Sequence, residues 1–124
     1  MQGLRVSGIL LCHAGKNRIA FPAVDVAVID APGLHAGRAR AASMAFGVVA
    51  GASRVLLAPS GETVGVDTLE IDAEIHRVLP LPPVLERVAG GSLLGFISVR
   101  GVLWPLVRLV EFERFISAPS REAA

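Results

Sequence analysis

Short apolar runs, each cut off by glycine or proline, limit what this chain can fold into. RVSGILL (5–11) and RIAF (18–21) flank HAGKN (13–17), where Gly15 marks a turn. That pattern predicts a β-hairpin. RVLLAP (54–59) and TVGVDTLEI (63–71) flank SGE (60–62) in the same way, and SLLGFISV (92–99) and VLWPLVRL (102–109) flank Arg100-Gly101. Pro22 predicts a bend before the extended stretch AVDVAVID (23–30), and Pro105 places the last strand at a sheet edge or beside a bulge. Pro80, Pro82 and Pro83 break the chain before VLERVAG (84–90), which has room for one or two helical turns. EFERFI (111–116) reads as a terminal helical turn, and 117–124 as a frayed tail.

One stretch departs from this rhythm. HAGRARAASMAFGVVA (35–50) is alanine-rich and free of proline, and Ala39, Ala42, Ala45 and Phe46 can share one face. A short helix is expected there, ending near Gly47 or Gly51. On either side of it the pattern strand, glycine turn, strand, Val-Asp occurs twice, closing on Val24-Asp25 and Val66-Asp67. The repeat is faint, but it predicts a duplicated β architecture.

Composition narrows the partners. The chain has 124 residues, 52% of them hydrophobic and 19% charged, which suits one domain with a real core and a partly covered surface. Residues 1–60 carry six basic and two acidic side chains, and residues 61–124 carry six and nine. The basic residues are scattered and tyrosine is absent, so no nucleic-acid footprint is expected. The start MQGLRVSG lacks a signal-peptide core, and the most apolar stretch, AASMAFGVVAGASRVLLAP, is broken by serine, glycine and Arg54. A cytoplasmic protein without membrane insertion is the expectation.

Candidate chemistry is sparse. Asp67, Glu70, Asp72 and Glu74 crowd the run 60–86, yet they lack the spacing of a calcium loop, so a solvated rim is the simpler reading. His13, His35 and His76 form no paired ligand motif. Cys12 is the only cysteine; it adjoins His13, but neighbours on a strand point to opposite faces. Ser60 lacks a nucleophile elbow. No phosphate-cradling glycine loop is present, and no enzyme activity, metal or cofactor is expected.

The order of these features resembles the CheW-like domain of bacterial chemosensory systems. The matching residues are Gly61, Val64, Val66, Asp67, Leu69, Pro80, Leu94, Gly95, Ile97, Gly101, Leu103 and Leu106, with Ala20, Phe21, Pro22 and Val24 matching the family's opening. The similarity spans 5–31 and 53–116, and no single motif carries it. The resemblance implies a mainly β fold of two small β-barrel-like subdomains. The first would span about 5–50 with strands contributed by the C-terminus, and the second about 53–110. Roughly 30–40 residues of the family's first half are replaced here by the expected helix near 35–50, so that half would be shortened.

The implied role is a noncatalytic adaptor or scaffold. It would dock a histidine kinase regulatory domain and a chemoreceptor cytoplasmic tip or another adaptor, or only one of these, and a homodimer is a further expectation. Arg38 and Arg40 would form the novel surface. Asp67, at the start of the crossing segment, belongs to the anionic rim. Arg100 can present its donor fork from a turn, and Trp104 can anchor an interface or fill the core. Two other classes stay open: a small β-barrel ligand-binding domain or enzyme with a pocket between subdomains, and a structural subunit of a larger assembly. Asp67, His76 and Cys12 gathered in one pocket would favour the former.

Overall fold

The computed structural model describes residues 4–31, 40–41 and 54–117. Among the described residues the fold is mainly β: two sheet-based subdomains, one curled into a half-barrel, and one α-helix. The strands are β1 (Arg5–Ala14), β2 (Asn17–Pro22), β3 (Val28–Asp30), β4 (Arg40–Ala41), β5 (Arg54–Leu57), β6 (Thr63–Val66), β7 (Thr68–Arg77), β8 (Leu93–Val99) and β9 (Val102–Val107). The helix α1 spans Leu109–Ser117. Five strands join in the order β7-β1-β2-β9-β8, and four in the order β3-β5-β6-β4.

The five-stranded sheet curls because its outer strands meet. Beyond β7, Leu79 exchanges both backbone hydrogen bonds with Phe96 of β8, at 2.7 and 3.0 Å. Gly95 makes that approach possible. A Cβ there would collide with the Leu79 carbonyl oxygen and come within 2.7 Å of Val78 Cγ1.

Curling gives the strands two buried faces, which explains why GILLC is apolar throughout rather than alternating. Ile9, Leu11, Ala20, Ile97, Val99, Trp104 and Leu106 pack inside the curl. Leu10, Cys12, Ile19 and Phe21 turn to the other side and meet Leu56, Val64 and Val66 of the smaller sheet with Leu109, Phe112 and Ile116 of α1. Phe21 and Phe112 contact edge-to-face at 5.9 Å, and burying a phenylalanine contributes roughly 1.5–3 kcal/mol. The helix is further held by Asp25. Its carboxylate accepts from the Leu109 N–H and from Arg108 Nε, both at 3.0 Å. Negative charge at a helix N-terminus complements the unpaired amides there. The Asp25 side chain also raises the Arg108 pKa, chiefly through that hydrogen bond.

Four expectations need correction. TVGVDTLEI is not one strand: at Asp67 the chain leaves β6 in the smaller sheet and enters β7 in the curled one. The helix expected over 35–50 does not run through Arg40–Ala41, which are extended and pair in parallel with Val64 and Gly65 of β6. Hydrogen bonding along the β6 edge outweighs alanine's helix preference there; the rest of that stretch, Arg38 included, lies outside the described residues. Nor is β9 an edge strand, since it lies between β2 and β8. Pro105 is tolerated because Phe96, opposite it, gives both backbone groups to Leu79, and because on the other side β9 and β2 share a single registered pair, Ala20 with Leu106. The bulge expected as the alternative is present nearby, where the β8–β9 ladder shifts register between Leu93 and Gly95. AVDVAVID likewise begins with a 3-10 turn at Ala23–Asp25 before β3.

Candidate functional site

Polar side chains from β1, β7 and the β8–β9 hairpin gather on the curled sheet with a defined geometry. Antiparallel pairing of β1 with β7 sets His13 opposite Thr68 and Leu11 opposite Glu70. On the facing side, Trp104 of β9 lies opposite Ile97 of β8. These strands meet around a cleft of about 320 Å³. Leu11 and Trp104 supply its apolar lining, and His13, Thr68, Glu70 and Arg100 its polar groups.

Each polar group has a partner. His13 Nδ1 and Thr68 Oγ1 share a hydrogen bond at 2.8 Å. The His13 ring meets the Trp104 indole edge-on, with centroids 5.3 Å apart. The Arg18 guanidinium sits 6.0 Å from the indole centre, and Arg18 Nε donates to the Leu103 carbonyl at 3.2 Å. At the rim, Arg100 Nη2 donates to both carboxylate oxygens of Glu70, at 3.0 and 3.2 Å. Both side chains of that pair are more than half exposed, so solvent screens it.

Arg100 owes its position to the turn. Arg100 and Gly101 both have positive φ, 51° and 77°, in a two-residue connection between Val99 and Val102. Such a mirror-image turn matches the twist of a hairpin, and glycine, asparagine or aspartate normally fill it. An arginine at the first position carries backbone strain of about 1–2 kcal/mol.

The expected site residues divide. Arg100 and Trp104 come together at this cleft. Asp67 stands next to it: its carboxylate accepts from the Gly15 N–H, and its own N–H donates to the His13 carbonyl at 2.9 Å. It therefore holds the β1–β2 turn against the rim, as Asp25 holds α1. Arg40 belongs to the smaller sheet. Trp104 is buried, with 7% of its surface exposed, so it forms a floor rather than a protruding anchor.

The grouping of Asp67, His76 and Cys12 does not form. Cys12 faces the inter-sheet core, and burial pushes its thiol up to about 12. His76 lies further along β7, where its Nε2 approaches Asp72 Oδ1 to 3.2 Å without making a hydrogen bond. The Glu74 N–H, ahead of His76, holds the Asp72 carboxyl below its usual range. Among the described residues, no group of three or more His, Cys, Asp and Glu side chains could hold a metal ion. No described helix is long and apolar enough to cross a membrane.

His13, Thr68, Glu70 and Arg18 were not expected at a common site. Their clue was strand parity: His13 alternates with Cys12, and Thr68 with Leu69. Using that clue needs the β1–β7 register, which pairs residues 55 apart. No family model matches the chain, and no curated protein matches it.

Proposed function

We propose that this chain is a noncatalytic adaptor of a chemosensory complex, built on a CheW-like fold with a shortened first half. The shortening would fall in the four-stranded sheet, where β3 and β4 of the first half join β5 and β6. Its partners would be a histidine kinase regulatory domain and a chemoreceptor cytoplasmic tip or a second adaptor, in the cytoplasm. The order of motifs along the chain supports this reading, and so does a fold of two small sheets joined by one apolar core.

One observation carries the docking surface. The β8–β9 hairpin exposes Arg100, Val102 and Leu103 at its tip, the valine and the leucine on opposite faces of β9 and the leucine 52% exposed. An arginine beside exposed aliphatic side chains gives a partner both a charged contact and apolar area to cover. Glu70 neutralises Arg100 in the free chain, and a partner carboxylate would take its place at small cost, because an exposed pair is worth about 0–1 kcal/mol.

The test is a pull-down of the purified chain against the cognate kinase regulatory domain and, separately, the receptor tip. Capture of at least one is expected, with weaker capture by Arg100→Gln. Capture of neither overturns the adaptor reading.

A further inference from the structure

The cleft beneath that hairpin has a chemistry of its own, and it goes beyond docking. Its rim carries a carboxylate, Glu70, hydrogen-bonded to the Arg100 guanidinium, with the Arg18 guanidinium a second cation beside Trp104. Its floor is apolar at Leu11 and Trp104, while the Leu69 side chain turns away to the inter-sheet core. A volume of about 320 Å³ falls at the small end of ligand pockets, which run from about 300 Å³.

Charge decides which ligands fit. A simple anion that paired with Arg100 would leave Glu70 without its cation. A simple cation that paired with Glu70 would strand Arg100. A ligand that carries an anionic and a cationic group on adjacent atoms satisfies both at once. Opening the pair costs little because both side chains are largely solvated. The two new contacts are charge-assisted, and the guanidinium fork suits a carboxylate. An apolar tail on the same ligand would then lie over the Trp104 indole that floors the cleft.

We infer that this cleft binds a free α-amino acid with an apolar side chain, its carboxylate on Arg100 and its ammonium on Glu70. The His13–Thr68 hydrogen bond fixes the wall of the site.

The inference needs no signalling partner, so it stands or falls separately from the adaptor reading. Isothermal titration of the purified chain with leucine, methionine and phenylalanine is the direct test. Leucine is compared with isopentylamine, which lacks the carboxylate, and with isocaproate, which lacks the ammonium. Saturable binding of at least one amino acid is expected. Each single-charge analogue should bind about tenfold more weakly or worse, the loss of one charge-assisted contact. Glu70→Gln should remove the advantage over isocaproate, and Arg100→Gln the advantage over isopentylamine. Glutamine at position 100 meets the same backbone demand as arginine, and binding to the unmodified chain is decisive by itself. Absence of saturable binding by all three amino acids at millimolar concentration overturns the inference. So does equal binding of leucine and its two analogues, or charge discrimination that survives both substitutions.

Discussion

A few single residues set local properties that can be measured. Cys12 is sealed in the inter-sheet core, with its thiol raised to about 12 by loss of solvation. In the unfolded chain a thiol ionises near its ordinary value of about 8.5. Between those values the folded state binds one more proton than the unfolded state, so this thiol's contribution to stability is complete below that range and is lost as pH rises through it. Urea midpoints should therefore fall between about pH 9 and pH 12 in the native chain, and fall less in Cys12→Ala relative to its own midpoint at pH 8. Iodoacetamide should label Cys12 only at denaturing urea concentrations, since burial holds the thiol in its unreactive form.

Asp25 is the second such residue. It is 9% exposed and joins the start of α1 to the bend after β2. Asp25→Asn keeps the shape and removes the charge, so it should cost about 1–3 kcal/mol in chemical denaturation. Hydrogen exchange should quicken first in α1.

At the scale of elements, the closure of the curled sheet rests on Gly95. Gly95→Ala forces the Leu79 segment away from β8 and should destabilise by about 1–3 kcal/mol or more, read as a lower urea midpoint. The Arg100-Gly101 turn behaves in the opposite way. Arg100→Gly relieves strain of about 1–2 kcal/mol and forfeits a screened ion pair worth about 0–1 kcal/mol. Its stability should match or slightly exceed that of the native chain, so changed function at this position would not be a folding defect.

Local signals carried the three hairpins, because turn glycines and apolar runs lie within a few residues of one another. The terminal helical turn was legible for the same reason. Non-local events were not. Asp67 passes the chain from one sheet to the other because the β6 and β7 edges have different neighbours, and no feature of TVGVDTLEI records that. Arg40-Ala41 is extended because β6 offers an edge, against local propensity. The site shows the same division. Arg100 stood out as an arginine at a turn, whereas Glu70 and Thr68 joined it only through pairings with β1.

For the whole molecule, two sheets share one core while the curled sheet keeps a second, smaller core inside it. That arrangement leaves the β8–β9 hairpin free of core duties at Arg100, Val102 and Leu103, although Trp104 and Leu106 of the same hairpin are buried. The docking surface proposed for a signalling partner is this exposed tip of the hairpin. It is tested most directly by titrating the kinase regulatory domain or receptor tip into the native chain and into Leu103→Glu. The variant should keep the native circular dichroism spectrum and urea midpoint, and lose about tenfold or more in affinity, the worth of one buried aliphatic contact. Unchanged affinity in a folded Leu103→Glu chain would mean that the partner docks elsewhere and the proposed surface is wrong.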